Sequence, residues 1–183
     1  MKNKIDIKKE IIEFIKLFAV CYLGVLIFTT FILKPIKVSQ NSMYPTILDK
    51  SIGFSSVISK TIEGVDRFDV VIIEVEKKNF IIKRAIGLPN DTIEYKDNKL
   101  YINGEIIEEK FLYSDYYNSF TKDGGIFTED FGPFTLGNDE VFCLGDNRPR
   151  SKDSRHYGPF NLSQVVSKDV FFIYPLSRFG GVN

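Results

Sequence analysis

An uncharged, apolar run near the N-terminus constrains this chain more than any other feature of its sequence. Residues 17–33 (LFAVCYLGVLIFTTFIL) contain no charged side chain and would be apolar around the whole circumference of a helix. At 1.5 Å per residue such a helix is about 26 Å long, close to the thickness of a bilayer's hydrocarbon core. Lys16 and Lys34 bracket the run, and their side chains can extend into the headgroups. We expect a transmembrane helix over residues 17–36.

Two other structures suit this run less well. A cleaved signal peptide has a shorter apolar core, and the residues that follow, LKPIKVSQ, contain no cleavage site of the A-x-A type. A buried helix of a soluble protein would have a polar face, which this run lacks. Five lysines precede the run and three follow it closely. By the positive-inside rule, residues 1–16 are expected in the cytoplasm and residues 37–183 outside it.

After Pro35 the pattern changes to short runs rich in β-branched residues. Two dipeptides typical of tight hairpin turns, Asp97-Asn98 and Asn103-Gly104, separate further β-prone segments. No amphipathic helix of 10–15 residues lies between the runs, so a parallel α/β sheet is not expected. We predict a mainly β, antiparallel domain over residues 37–183, and two packed sheets would fit it. The clearest strands are predicted at Val70–Val75, Phe80–Leu88, Asp139–Leu144 and Val170–Tyr174.

Composition excludes several classes of protein and site. Lys and Arg number 24, as do Asp and Glu, which is not the basic excess of a nucleic-acid-binding protein. Cys21 lies inside the apolar run and Cys143 in an apolar strand, so we expect neither a disulfide scaffold nor a cysteine-rich zinc site. A single histidine, His156, leaves no multi-histidine metal site. We therefore expect no metal, no cofactor and no nucleic-acid partner.

Three polar stretches carry the candidate chemistry. SQNSMYPT (residues 39–46) follows the apolar run, and GDNRPRSKDSRHYG (residues 145–158) is a dense charged loop after an apolar strand. Between them, IKRAIGLPND (residues 82–91) places Lys83 in an apolar strand, where Ile81 and Ala85 share its face. If that face is buried, the charged ammonium is disfavoured and the pKa of Lys83 falls. A neutral lysine amine can act as a general base.

Together these stretches resemble the bacterial type I signal peptidases, specifically the short, single-anchor form of Gram-positive bacteria. The resemblance rests on SMYPT just past a membrane helix, KRAIGLPND 41 residues later and GDNRPRSKDSRHYG near the C-terminus. It implies an antiparallel β-sheet catalytic domain of the signal-peptidase and LexA-like type, behind one N-terminal transmembrane helix. It also implies a membrane-bound serine endopeptidase that removes signal peptides from exported preproteins, after small residues at −1 and −3.

The resemblance assigns roles to individual residues. Ser42 would be the nucleophile and Lys83 the general base. The assignment is physically reasonable, since a serine hydroxyl needs a nearby base to remove its proton. A lysine can be that base only if its surroundings lower its pKa from about 10.4. Ser151 would orient the Lys83 amine through a hydrogen bond.

Further residues are expected to support the third stretch structurally. Asp153 and Arg155 match a charged pair that holds this loop in the family, and Asp146 is placed to pair with Arg84. Taken singly, each also fits a solvated charged loop, because surface ion pairs are common and weak. The expected supporting residues of the loop are Asp146, Arg148, Asp153 and Arg155.

Two positions leave alternatives open. Many relatives carry Ser or Gly two residues before the nucleophile, where it belongs to the oxyanion hole, whereas this chain has Gln40. The Gln40 amide could supply a second donor beside the Ser42 backbone N–H, or it could point to solvent. His156 is the one conventional base, but a loop histidine beside Arg155 and Tyr157 fits a partly exposed position better than a catalytic one.

Three other functions compete with the signal-peptidase reading. A LexA-like self-cleaving regulator shares the Ser-Lys chemistry but needs an N-terminal DNA-binding domain, where this chain has an apolar run. A non-catalytic helper of pilus assembly would lack the dyad. An accessory peptidase dedicated to pilin processing would keep it, and the sequence does not separate this role from a general one. The expected partners are exported preproteins and the lipid bilayer.

Overall fold

The computed structural model describes residues 7–182, which form a long N-terminal helix followed by a β domain. The helices are α1 Ile7–Phe31, α2 Val57–Glu63, α3 Asp115–Thr121 and α4 Ser154–Tyr157. The strands are β1 Leu33–Lys37, β2 Ile52–Ser56, β3 Val70–Glu76, β4 Asn79–Gly87, β5 Thr92–Lys96, β6 Lys99–Ile102, β7 Glu105–Ile107, β8 Phe131–Thr135, β9 Glu140–Leu144, β10 Phe160–Asn161, β11 Val165–Tyr174 and β12 Gly180–Val182.

Helix α1 is long enough and apolar enough to cross a membrane over Ile7–Phe28. At 1.5 Å per residue these 22 residues span about 33 Å, which matches a hydrocarbon core of about 30 Å. None of its most apolar stretch is buried within the protein. An apolar helix that no other part of the protein covers is stable only in an apolar medium, and a bilayer provides one.

The helix does not coincide with the predicted span of residues 17–36. It already includes residues 7–16, which were assigned to the cytoplasmic tail and which are good helix formers with Lys9 and Glu13 at i, i+4 spacing. Residues 1–6 of that tail lie outside the described residues. At its other end the helix stops at Phe31, because Pro35 cannot continue it. Residues 33–37 instead form the edge strand β1, where proline is tolerated, so the β domain begins at Leu33 rather than at residue 37.

The β domain contains two antiparallel sheets, in agreement with the predicted fold class. The larger sheet has the strand order β1-β2-β11-β3-β4-β9-β10, with β12 paired to β11, and the smaller has the order β7-β6-β5-β8. The four strands predicted most clearly correspond to β3, β4, β9 and β11. Both hairpin turns are also confirmed, since Asp97, Asn98, Asn103 and Gly104 have the positive φ that such turns require.

Strands β4 and β9 are apolar on both faces because both faces of the large sheet are covered at this point. Ile86 and Phe142 pack in one core cluster with residues of the small sheet. Ala85 and the buried Cys143 belong to a second cluster on the opposite face. Lys83 lies two residues before Ala85 on β4, so its side chain projects from this second, buried face.

Candidate active site

Ser42 lies in the loop that joins β1 to β2. The base of this loop is closed by a hydrogen bond from the Val38 N–H to the carbonyl of Ser51, at 2.8 Å. Met43, the next residue, is buried in a core cluster with Val38 and residues of β3 and β11. Because its neighbour is anchored in the core, Ser42 is held half-buried at the surface of the sheet, with its hydroxyl next to β4.

Lys83 contacts Ser42 although 41 residues separate them in the chain. Its Nζ donates hydrogen bonds to Ser42 Oγ at 2.8 Å and to the carbonyl oxygen of Ile82 at 3.0 Å. The residue is only 1% exposed, and β3 pairs alongside it through Val71. Two partners therefore fix the amine against the hydroxyl, which is the arrangement of a base and the nucleophile that it activates.

Burial lowers the pKa of Lys83 from its ordinary value of 10.5 to about 8, because the ammonium loses its hydration. The negative charges of Asp153 and Asp146 act in the opposite direction. Both carboxylates, however, are ion-paired with arginines, and neither forms an ion pair with Lys83. At a pKa of about 8, roughly a tenth of the amine is neutral at pH 7 and half at pH 8.

The two predicted ion pairs of the third stretch are both present. Arg84 donates to Asp146 from Nε at 3.0 Å and from Nη2 at 2.8 Å, and both side chains are buried. Arg155 donates to Asp153 from Nε and Nη2, each at 2.9 Å. Burial would raise the pKa of Asp153, but Arg155 and the Gly145 N–H outweigh it and lower the pKa below its ordinary value. Asp153 is therefore a fixed anion that holds the loop.

Arg148 links this loop to the small sheet through buried hydrogen bonds. Its guanidinium is buried and donates to Glu109 at 2.5 Å, to the Tyr95 hydroxyl at 3.0 Å and to the Thr128 hydroxyl at 3.3 Å. The Tyr95 hydroxyl donates in turn to Glu109. A structural role for Arg148 was expected. Its acidic partner Glu109 was not, because it comes from a different part of the chain.

Ser151 does not orient Lys83 in this structure. The residue is 4% exposed, and its hydroxyl makes no hydrogen bond to Lys83 but faces Asp153, whose pKa it helps to lower. It packs against Gly145, where an added Cβ would lie 2.2 Å from Ser151 Oγ and 2.4 Å from the carbonyl oxygen of Ser42. The second partner of the lysine amine is the Ile82 carbonyl instead. Gly145 is thus a position that the sequence analysis missed, because only a residue without a side chain fits between Ser42 and Ser151.

Asn147 and Tyr116 hold the nucleophile loop and were also missed. The Asn147 N–H donates to the Ser42 carbonyl at 3.0 Å, and its side-chain amide donates to the Asn41 carbonyl at 2.8 Å. The Tyr116 hydroxyl donates to the Asn147 side-chain oxygen at 2.9 Å. Asn147 at least lies inside a stretch that was singled out. Nothing in the local sequence of α3 indicates that Tyr116 reaches this loop.

Two clefts meet at Ser42. The narrower one, of about 110 Å³, is lined by apolar side chains, among them Val38, Phe80 and Ile82, and equally by polar ones, among them Lys37 and Asn79. The wider one, of about 410 Å³, is lined by Arg150 and Lys152 among others. Gln40 is exposed and borders both clefts beside Ser42. The part of its side-chain amide in the oxyanion hole stays a prediction.

His156 lies apart from the reacting groups. It is exposed and borders a separate cavity of about 540 Å³ that Ser42 and Lys83 do not line. Across residues 7–182, no group of three or more His, Cys, Asp and Glu side chains gathers in a way that could hold a metal ion. The arrangement brings together a hydroxyl and a buried amine, which is the equipment for acyl transfer through a serine ester.

Comparison with known proteins identifies the family. The family model described as signal peptidase, peptidase S26, matches residues 11–174. Signal peptidase I S of Bacillus subtilis (strain 168) is 34% identical over 177 residues, which cover 96% of each chain. Signal peptidase IB of Staphylococcus aureus (strain COL) is 34% identical over 182 residues, 94% of each chain. A crystal structure of a signal peptidase I from Enterococcus faecalis V583 is 35% identical, with a TM-score of 0.50, covering 57% of this chain and 95% of that one. The chain belongs to the signal peptidase family, peptidase S26.

Proposed function

We propose that this protein is a membrane-anchored serine endopeptidase that removes N-terminal signal peptides from exported preproteins, after small residues at −1 and −3. Membership of the signal peptidase family supports the reaction and the class of substrate. The single observation that carries the mechanism is the 2.8 Å contact between Ser42 Oγ and the buried amine of Lys83. Ser42 is the proposed nucleophile and Lys83 the proposed general base.

In the first half of the reaction, neutral Lys83 takes the proton of Ser42 as Oγ attacks the carbonyl carbon of the −1 residue. The oxyanion that forms accepts hydrogen bonds from the Ser42 backbone N–H and from the Gln40 amide. The protonated Lys83 then gives its proton to the departing amine, which becomes the N-terminus of the mature protein. The signal peptide remains attached to Ser42 as an ester.

In the second half, Lys83 is neutral again and takes a proton from a water molecule. The oxygen of that water attacks the ester carbonyl, and the bond to Ser42 Oγ breaks as Lys83 returns the proton to the serine. The Ile82 carbonyl accepts a hydrogen bond from Nζ and keeps the amine in place for both steps. The signal peptide leaves with a free carboxylate.

The shape of the site supports an extended peptide with small side chains. The narrow cleft beside Ser42 has a volume of only about 110 Å³ and is walled in part by Val38, Phe80 and Ile82, so it suits small groups at the −1 and −3 positions. Strand β4 pairs with β3 along its length, but its pairing with β9 begins only at Arg84. One edge of β4 is therefore open beside Ser42, where a substrate could add as a further strand.

The membrane helix brings the enzyme to its substrate. Signal peptides are themselves held in the bilayer, so confining both partners to one membrane raises their effective concentration. Ser42 follows the end of α1 by eleven residues, which limits its distance from the helix end to about 40 Å along the chain. The excess of lysines before the uncharged run of residues 17–33 supports a cytoplasmic N-terminus and a β domain on the outer face.

The alternative functions are less well supported. An apolar helix stands where a LexA-like regulator needs its DNA-binding domain. A non-catalytic helper of pilus assembly has no need for a buried lysine in contact with a serine. A peptidase dedicated to pilin processing would use the same dyad, and it differs from our proposal only in its range of substrates.

Cleavage of a preprotein with an A-x-A site by the full-length chain in detergent tests the proposal. We expect Ser42→Ala and Lys83→Ala to abolish cleavage, because each removes one half of the dyad. His156→Ala should keep most of the wild-type rate. If His156→Ala is inactive and Lys83→Ala is not, the dyad assignment is wrong.

A further inference from the structure

The two clefts that meet at Ser42 differ in charge, and hydrolysis itself makes no use of this difference. Lys37 is the one charged residue among the described residues that line the narrow cleft, whereas both Arg150 and Lys152 line the wide one. Both cations are exposed, and neither forms an ion pair with an acidic group in residues 7–182. In the same loop, Arg148 and Arg155 are both neutralised by carboxylates. Arg150 and Lys152 therefore present free positive charge next to the nucleophile.

The positive surface continues beyond the wide cleft. Arg150 and Lys152 also line the neighbouring cavity of about 540 Å³, beside the ion-paired Arg148 and Arg155. Glu129 is the one acidic residue among the described residues that line this cavity. The buried Ser151 borders it as well. A cationic surface thus runs from Ser42 across the loop.

The narrow cleft lies on the side of the membrane anchor. It is bordered by Lys37 and Val38, at the end of the strand that follows α1 almost directly. The part of a substrate before the cleavage point is a signal peptide, which is apolar and held in the bilayer. It therefore approaches from the anchor side, and the chain after the cleavage point leaves through the wide cleft.

We propose that the wide cleft binds the first residues of the mature protein and selects acidic side chains among them. This inference rests on the proposed function, cleavage of signal peptides at Ser42. A cleft of about 410 Å³ is roughly 7 Å across, about two residues of extended chain, so Arg150 and Lys152 on its wall reach side chains near positions +2 and +3. Carboxylates there gain two unpaired cationic partners, and lysines meet like charge.

The expected preference is moderate because both cations are solvated. We expect kcat/KM for a substrate with two acidic residues at +2 and +3 to exceed that of the matching lysine substrate by about 10-fold at low salt. The contact is made with side chains outside the scissile bond and is equal in the ground and transition states, so the effect falls on KM rather than on kcat. High salt should reduce the ratio to about 2-fold by screening.

The experiment uses the full-length chain in an uncharged detergent and three preproteins with one signal peptide and one A-x-A site. They carry Glu-Glu, Gln-Gln or Lys-Lys at +2 and +3. We expect the order Glu, Gln, Lys in kcat/KM for the wild type. In Arg150→Gln/Lys152→Gln the ratio of Glu to Lys substrates should fall to about 1, and in Arg150→Glu/Lys152→Glu the order should invert. Lys96→Gln/Lys99→Gln removes two exposed lysines from the small sheet and should keep the wild-type ratio.

The outcomes separate this inference from the proposed function. Equal kcat/KM for the three substrates, with cleavage still at the A-x-A site, would overturn the acidic preference and leave signal-peptide removal standing. A ratio near 1 together with a rate that needs anionic lipid through Arg150 and Lys152 would assign these cations to lipid headgroups and also overturn it. If Ser42-dependent cleavage is absent for all three substrates, the proposed function itself is wrong.

Discussion

Two buried lysines of this protein, Lys83 and Lys168, have opposite electrostatic surroundings. Both lie on strands of the large sheet, and they are 1% and 2% exposed. Lys83 has no carboxylate partner, and burial lowers its pKa to about 8. Lys168 lies 3.0 Å from Asp69, with Glu63 at 3.3 Å as a further partner. Burial alone would lower the pKa of Lys168, but the hydrogen bonds and charges of Asp69 and Glu63 outweigh it and raise the pKa above 10.5.

The difference shows that burial disfavours the charged form of a lysine, and that neighbouring carboxylates decide whether the lysine nevertheless stays charged. Around Lys83 the nearby acids, Asp146 and Asp153, are neutralised by Arg84 and Arg155. The amine is left without a counter-ion and can lose its proton near neutral pH. Around Lys168 the ammonium is permanent and fixes the segment after α2 to β11. One lysine is suited to move a proton and the other to hold the structure.

The largest expected effect is on catalysis, and it separates the two lysines. Lys83→Met should lower kcat/KM by about 10⁴-fold or more, because it removes the base that activates Ser42. Lys168→Met removes a lysine of equal burial and should leave the folded enzyme within about 3-fold of the wild type. Preprotein cleavage by full-length variants measures both. Comparable losses of kcat/KM in the two variants would mean that removing either buried lysine lowers activity by destabilising the fold, not by removing a catalytic base.

A second variant separates proton transfer from stabilisation of the oxyanion. If the Gln40 amide donates to the oxyanion, Gln40→Ala should lower kcat by about 10²–10³-fold without moving the inflection of the pH–rate profile that Lys83 sets. Gln40→Ser restores a residue found in many relatives and should recover much of the rate. An unchanged kcat in Gln40→Ala would show that the side chain points to solvent.

Placement of the nucleophile loop against Lys83 can be tested at Gly145. A Cβ there would lie 2.4 Å from the Ser42 carbonyl and 2.2 Å from Ser151 Oγ, so the backbone near the nucleophile must shift. We expect Gly145→Ala to lower kcat by about 100-fold, as misplacement by about 1 Å does. Gly181→Ala is the matched control, because an added Cβ meets no atom within 4 Å. Wild-type kcat in Gly145→Ala would contradict this account of the loop.

A feature of the fold or the site could be predicted from the sequence when it depends on neighbouring residues, and could not when it depends on residues far apart in the chain. The strands and the hairpins follow from local patterns, whereas the pairing of Ser42 with Lys83 was implied by the resemblance to the signal peptidases. The end of α1 was misjudged because Leu33 and Ile36 are apolar and extend the run, although they form a strand. Burial of Lys168 was not readable, because its acidic partners come from a segment about 100 residues earlier. The positions of Gly145 and Tyr116 depend on contacts of the same long range.

The smallest expected effect is on stability, because substitution of the two lysines should change the free energy of unfolding in opposite directions. The low pKa of Lys83 costs about 3 kcal/mol below pH 8, a cost that declines as pH rises and vanishes near 10.5. Lys83→Met removes this cost and two hydrogen bonds, so the free energy of unfolding at pH 7 should rise by about 1–2 kcal/mol. Lys168→Met should lower it by about 1–3 kcal/mol. Urea unfolding in detergent, followed by tyrosine fluorescence, measures both, and a decrease for Lys83→Met would contradict the assigned cost.

Titration of the two lysine side chains by NMR, in the full-length chain with labelled lysine, tests the electrostatic claim most directly. Signals are assigned from the spectra of Lys83→Met and Lys168→Met. We expect Lys83 to titrate near pH 8, in step with the rise of kcat/KM, and Lys168 to remain protonated beyond pH 10.5. A Lys83 that titrates at or above pH 10.5 would contradict its role as the neutral base that activates Ser42.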